Sequence, residues 1–330
     1  MWRAGHPIWL VALSAPLGLR LSGTYATLSG SWSLIAGLLG PLFALSAAIA
    51  VVIMMRRGDR RIALLLLLAV NIGLALEDLR FHSSTHHDGL KLMTWNVALG
   101  WGDKHRCVQE RIAAIEPDII ALQELRQEGS EAIATALNMQ CTWSGYFDKP
   151  GTNGLAICVP KDWSMGRAGK RRYAKGRSYA FQFAELRPPG GPTFNLMNLH
   201  LQSLYLSRRE SDRGASTRHL FGHTMARQIW QLFGIMRVAT QLTDPLVLAG
   251  DFNSTSTTWV HTQLRGAFVD AHRDRGLGFG ATRWIAGLLP ARIDYLYRSR
   301  GLRWTGVTRS VDAGGCSDHR PVVAQMEFAP

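Results

Sequence analysis

The sequence predicts an α/β domain behind an apolar, membrane-directed N-terminal region, and three observations carry that prediction. No charged residue occurs from Leu21 to Met55, and Ser31 to Met55 is nearly all apolar. From about Lys91 onward, short apolar strand-like runs alternate with amphipathic helical ones. Several of those runs end abruptly in a carboxylate, carboxamide or imidazole, as in LVLAGDFNS from Leu246 to Ser254. Buried strands of α/β proteins deliver such groups to ligand sites at their ends.

The N-terminal region comes first. Twenty-five residues from Ser31 to Met55 are enough to cross a bilayer. Arg56, Arg57, Arg60 and Arg61 follow around Asp59, and Ile62 to Leu76 is a second uncharged run. Fifteen residues of helix rise only about 22 Å, so this crossing relies on snorkelling arginines and local thinning of the bilayer. Ala4 to Leu19 is a third apolar run, either another crossing or the core of a signal peptide. The expected division is therefore a membrane anchor over 1–79, with apolar helices at about 5–20, 31–55 and 62–77, a polar linker over 80–90 and a globular domain over 91–330. Arginine clusters stay on the cytoplasmic side, so two crossings place the chain after about Glu77 outside the cytoplasm of a multi-pass inner (plasma) membrane protein. The lipid bilayer is the one partner this region implies, and no protein partner is evident.

Charge is distributed unevenly. The net charge is +13, and residues 89–330 alone hold thirty lysines and arginines against twenty acids. A basic domain favours an anionic partner such as nucleic acid, phosphorylated headgroups or an acidic membrane surface, without choosing among them. The even count of Cys107, Cys141, Cys158 and Cys316 permits two disulfides in an oxidising compartment, but their spacing matches neither a zinc motif nor a disulfide framework, and four buried thiols is the preferred reading. His82, His86 and His87 on the linker read as solvated side chains.

Within the globular domain the elements follow in order. Lys91 to Val97 is a strand with Asn96 near its end. Lys104 to Ile115 has helical spacing, with Val108, Ile112 and Ile115 on one face, and Pro117 closes it. Asp118 to Leu122 is an apolar strand that runs into Gln123 and Glu124; a carboxylate there is costly to desolvate without a cation or partner. Leu155 to Val159 follows an Asn-Gly turn, and Tyr179 to Leu186 pairs with Pro192 to Leu201, which carries His200 at its end. The polar, arginine-rich stretch Tyr205 to His223 is too long for an ordinary connection. Met225 to Thr240 is helical and leads into Leu246 to Ala249, after which Asp251 and Asn253, two residues apart, face the same side of an extended strand. Arg292 to Tyr297 is a strand with one inward carboxylate, Asp294. Asp318 and His319 stand together before a last strand, Pro321 to Met326, where neighbouring side chains diverge.

The ordered set TWNV, QE after an apolar strand, NLH, GDFN, RIDY and SDHRPV resembles the endonuclease/exonuclease/phosphatase (DNase I-like) superfamily over about Lys91 to Glu327. The apolar N-terminal segments make the chain similar to a membrane-anchored bacterial branch. The resemblance implies a two-sheet α/β sandwich preceded by transmembrane helices, and a metal-dependent phosphoester hydrolase using Mg²⁺, with Mn²⁺ as an alternative ion. It implies Glu124 as principal metal ligand, helped by Asn96 and Asp318. Asp251 and Asn253 would sit over the scissile phosphate, His319 would act with Asp294 holding its ring, and His200 would stand near the leaving group. Ala98 occupies a position where some relatives carry a further acid. The implied substrates are nucleic acids, most simply, or phospholipids and inositol phosphates. A membrane-tethered binding protein is the non-enzymatic alternative.

Overall fold

The computed structural model describes residues 78–83, 89–98, 105–146, 152–173, 180–203, 217–285 and 289–329. Two sheets form the centre. One runs in the order β10-β14-β9-β8-β7-β6, from β6 (Ser164–Arg172), β7 (Ala180–Arg187), β8 (Phe194–His200), β9 (Leu246–Asp251), β10 (Val269–Asp270) and β14 (Asp294–Arg298). The other runs β15-β17-β2-β3-β5-β4, from β2 (Leu90–Asn96), β3 (Ile119–Leu125), β4 (Met139–Gly145), β5 (Gly154–Pro160), β15 (Leu302–Trp304) and β17 (Val322–Phe328), with β16 (Arg309–Ser310) also on β17. The pairs β2–β3 and β8–β9 are parallel.

Alternation along the strands explains the layering. In β9, Val247 and Ala249 join the core between the sheets, whereas Leu246 and Leu248 face the opposite way. In β2, Leu92 points inward and Met93 and Trp95 outward. The outward faces are covered by helices. Helices α1 (His105–Ile115) and α2 (Gln127–Ala136) bury Val108, Ile112 and Ile133 on the second sheet. Helices α3 (Thr217–Ala239) and α4 (Trp259–Ala267) bury Leu232, Ile235, Val260 and Leu264 on the first. The short α5 (Ala271–Arg275) is capped by Asp270, whose carboxylate accepts from the backbone N–H of His272 and Arg273. The result is the expected two-sheet α/β sandwich, helices outside and an apolar layer between.

The inter-sheet layer changes character along its length. Beyond the apolar residues lies a buried polar tier: Gln123 Nε2 donates to Thr94 Oγ1 (2.9 Å) and Asn198 Oδ1 (2.8 Å), and Asn198 Nδ2 donates to the carbonyls of Leu122 and Ala156, both 2.9 Å. These bonds satisfy groups that burial would otherwise penalise. Past this tier the strands end, and the layer opens.

Two expectations are corrected. The cysteines are not thiols: Cys107 bonds Cys316 and Cys141 bonds Cys158. Cys141 and Cys158 are direct cross-strand partners of β4 and β5, and their Cα atoms lie 4.1 Å apart. The other pair joins α1 to the loop before β17 over a separation of 209 residues, a proximity that local spacing does not encode. The start of the linker is not free: β1 (Arg80–Phe81) pairs antiparallel with β11 (Leu277–Gly278). Arg283–Ile285 (β12) and Leu289–Ala291 (β13) pair as antiparallel strands. The three N-terminal apolar segments lie outside the described residues, among which no helix is long and apolar enough to cross a membrane.

Candidate active site

The open end of the inter-sheet layer gathers the ends of five strands. Asn96 closes β2, His200 closes β8, Asp251 closes β9 and Asp294 begins β14. All four continue the inward-facing series of their strands. Asp251 and Asp294 are direct partners across the antiparallel β9–β14 pair, so two carboxylates face one another with almost no solvent contact.

Glu124 arrives by a different device. The β3–β5 register shifts between Gln123 and Leu125, and Glu124 takes a left-handed φ of 60°. For a side chain with a Cβ this conformation carries strain, which structures retain where a side chain must be aimed. The bulge turns Glu124 into the site while Leu125 stays in the outer core. Gly250 is a second local requirement. Its φ is 145°, and a Cβ there would collide with the carbonyl oxygen of Leu199 on β8.

Asn96 ties the acids together. Its Nδ2 donates to Asp251 Oδ2 (2.9 Å) and Glu124 Oε1 (3.1 Å), and its Oδ1 accepts from the Ala98 N–H (2.9 Å). The Asn253 backbone N–H donates to Asp251 Oδ1 at 2.7 Å. Asn253 itself lies in a turn with φ 48° rather than on the strand, and its Nδ2 donates to the Leu201 carbonyl at 3.0 Å. The same-face reading of Asp251 and Asn253 is thus replaced by a turn in which the first caps the second. Beneath this loop Ser254 Oγ meets His261 Nε2 (3.0 Å) and His261 Nδ1 meets Tyr297 Oη (2.7 Å). Burial pushes His261 down to about 3, so it is a neutral support.

His319 sits opposite Asp251. Its Nδ1 lies 3.0 Å and 3.2 Å from the two Asp294 oxygens, and its Nε2 lies 3.8 Å from Asp251 Oδ2. Burial disfavours the imidazolium, yet Asp294 and then Asp251 outweigh it and lift the pKa from 6.5 to about 9. The ring is therefore charged at neutral pH, with Nδ1–H fixed on Asp294 and Nε2–H directed at the site. Burial, and after it the Asp294 carboxylate, push the Asp251 carboxyl up from its ordinary 3.8, against His319, His200 and Asn96. The backbone around His319 is pinned from three sides. Trp95 Nε1 donates to the His319 carbonyl (3.0 Å), Ser317 Oγ donates to the Asn96 carbonyl (2.8 Å), and Cys316 is bonded to α1.

Asp318, its neighbour, is turned away. Its side chain is 53% exposed and pairs with Arg283 at 2.6 Å, so the structure does not bring it to Glu124 and Asp251. Adjacent side chains diverge, and here the histidine takes the inward position.

One residue of the site was absent from the sequence reading. Tyr146 Oη accepts the Glu124 backbone N–H at 3.0 Å and lies 2.6 Å from His200 Nδ1. Burial and the Glu124 carboxylate push the phenol well above 10, so it keeps its proton and donates to Nδ1. With Nδ1 accepting that bond, the other ring nitrogen, Nε2, carries a hydrogen and faces Glu124 Oε1 (3.5 Å) and Asp251 Oδ2 (3.7 Å). The tyrosine stands in the stretch after β4 with no motif around it, and only its position in the fold reveals it.

The donor set fits a hard divalent cation. Glu124, Asp251 and Asp294 bring three carboxylates together, two of them nearly solvent-free, and anionic oxygen excess of this kind is what such ions bind. Asp251, Asp294 and His319 also present ligand atoms within 4.8 Å of one another. Because His319 Nδ1 is engaged by Asp294 and the ring is cationic, the Glu124–Asp251 side is the better seat.

A sandwich of two sheets with carboxylates, a carboxamide and an Asp–His pair at the strand ends defines a phosphoester-hydrolase class of site. The model of the Endonuclease/Exonuclease/phosphatase family matches residues 93–319, and the chain belongs to that family. It is accordingly a metal-dependent phosphoric ester hydrolase. Solved structures agree in fold. A mannosyl-6-phosphatase of Bacteroides thetaiotaomicron superposes with TM-score 0.59 at 16% identity, over 72% of this chain and 100% of its own. The catalytic domain of human Nocturnin gives 0.56 at 18%, over 73% and 95%. Truncated Caenorhabditis elegans TDP2 gives 0.52 at 19%, over 73% and 98%. No curated protein matches the sequence.

Proposed function

We propose that this protein is a Mg²⁺-dependent phosphodiesterase, anchored in the membrane by its N-terminal apolar segments and acting outside the cytoplasm. The observation that carries the chemistry is the buried Asp251 carboxylate, held by Asn96 and the Asn253 N–H and facing the cationic His319. Glu124 and Asp251 would hold the cation, which when bound neutralises phosphate charge. Asp251 orients the attacking water and takes its proton as the water oxygen bonds to phosphorus. His319 Nε2–H donates to a non-bridging phosphate oxygen and offsets the charge that develops there. One N–H of the Asn253 carboxamide is spent on Leu201, and the second is free to donate to the same phosphate. His200 Nε2–H is placed to donate a hydrogen bond to the departing oxygen as its bond to phosphorus breaks, and that oxygen takes its proton from solvent.

Two disulfides support the extracytoplasmic side, since such bonds persist in oxidising compartments. The basic balance of residues 89–330 supports a polyanionic substrate, most simply nucleic acid. A phospholipid or inositol phosphate is the second reading, favoured by exposed Phe81, Leu277 and Phe279 beside the start of the described chain. The test is turnover by the full chain of duplex DNA, RNA, sphingomyelin and an inositol phosphate, with and without Mg²⁺. Metal-dependent cleavage of one class identifies the substrate; cleavage confined to phosphomonoesters would replace the diesterase reading with a phosphatase.

A further inference from the structure

The junction between the apolar N-terminal region and the catalytic domain is built as a rigid seat. Asp78, two residues after the end of the uncharged run Ile62 to Leu76, is half-buried against the domain. Its carboxylate pairs with Arg292 Nη2 at 3.1 Å and accepts from Ser256 Oγ, and its carbonyl meets His272 Nε2 at 2.8 Å. Arg292, itself buried, also grips Asp270 with two bonds of 2.9 Å. The chain then forms β1 against β11, and the His82 N–H donates to the Gly276 carbonyl at 3.1 Å. Two residues span at most about 7 Å, so whatever holds Leu76 lies that close to this face.

The face itself is apolar and basic. Phe81 is 80% exposed, Leu277 49% and Phe279 48%. Phe81 and Leu277 are direct cross-strand partners, so their side chains share one side of the ribbon. Arg80 on β1, Arg273 and Arg275 on α5, Arg298 at the end of β14 and Arg292 bring five guanidinium groups to this corner against the three carboxylates of Asp78, Asp270 and Asp274, a positive balance. Exposed aromatics rimmed by arginines match the interface of an anionic bilayer, where rings enter the headgroup boundary and guanidinium groups meet phosphate. A two-fold contact with a second copy would set these arginines against their own kind, which argues for lipid over self-association.

We propose that the Phe81–Leu277–Phe279 face rests directly on an anionic lipid bilayer, so that the Asp78 clamp holds the catalytic domain against the membrane instead of tethering it loosely. The inference rests on the membrane-anchored reading above and is independent of which phosphoester is cleaved. It follows that the Asp294 end of β14, two residues from Arg292, keeps a fixed distance from the lipid surface.

The test uses the full chain in vesicles of phosphatidylethanolamine and phosphatidylglycerol, carrying the photoreactive residue benzoylphenylalanine at Phe81 or, as comparison, at Trp230. Trp230 is also exposed but lies on α3, in the helical layer over the outer face of the first sheet and not on the β1–β11 ribbon. After irradiation, lipid adducts at 81 and none at 230 are expected. Adducts at neither site, or equally at both, would overturn the seat, as would cross-linking of 81 to protein alone. Carbonate extraction separates the readings: a chain released into the soluble fraction loses anchor and seat together, whereas a retained chain without adducts loses the seat alone. Hydrolysis of bis-(p-nitrophenyl) phosphate in the same vesicles reports the catalytic reading independently.

Discussion

Asp294→Asn removes the charge that sets the state of His319 while keeping the shape that holds its ring. Lifting the imidazole from 6.5 to about 9 corresponds to about 3 kcal/mol of preference for the charged form, and Asp294 is the first cause acting in that direction. Without that charge the falling alkaline limb of kcat should move from near pH 9 toward or below 6.5. At pH 8 the protonated fraction would fall by about 30-fold if the value returned to 6.5, and kcat with it. The assay is the pH profile of Mg²⁺-supported bis-(p-nitrophenyl) phosphate hydrolysis by the full chain, between about pH 5 and pH 10. The stability of the fold should respond with the same sign: the His319 contribution is fully present below 6.5 and is lost as pH rises through about 9. An Asp294→Asn profile whose alkaline limb coincides with that of the unaltered protein would refute the reasoning.

Other perturbations follow from single contacts. Tyr146→Phe removes the donor to His200 Nδ1 and the acceptor of the Glu124 N–H, and should lower kcat by roughly 10–100-fold with little change in melting temperature; an unchanged kcat would deny the tyrosine its positioning role. Arg292→Met strands the buried Asp270 and the half-buried Asp78 without their guanidinium and should cost roughly 3–5 kcal/mol in denaturant unfolding. Asp78 is held down to about 2, Arg292 outweighing burial, so its share of stability is present above 3.8 and disappears as pH falls through about 2. The stability gap between the unaltered protein and Arg292→Met should therefore narrow as pH falls through about 2. Replacing Cys107 and Cys316 by alanine should cost roughly 2–5 kcal/mol, read by thermal unfolding with and without reductant.

Much of the site was legible because strand-end chemistry leaves a local mark. Asn96, His200, Asp251 and Asp294 each stand where an apolar alternation stops, and the structure brings all four to the open end of one layer. His319 was legible only with its neighbour, and divergence of adjacent side chains then sends Asp318 out to Arg283. What the sequence does not show is non-local. Tyr146 matters because β4 ends beside His200, the disulfides because register and topology bring distant cysteines together, and Asp78 because Arg292 waits 214 residues away. Local pattern also misreads the bulge at Glu124 and the turn at Asn253, where positive φ breaks the strand alternation from which facing was inferred. Helix α2 and the edge strands β4 and β6 lack clear periodicity, since each buries only part of one face.

The most direct test of the central claim is hydrolysis of bis-(p-nitrophenyl) phosphate by the full chain, before and after chelation of divalent metal, for the unaltered protein and Asp251→Asn. Loss of turnover on chelation, recovery on adding Mg²⁺, and a drop of about 10³-fold or more in the variant are the expected results. Turnover that survives chelation, or an Asp251→Asn variant that matches the unaltered protein, would contradict a metal-dependent site centred on Asp251.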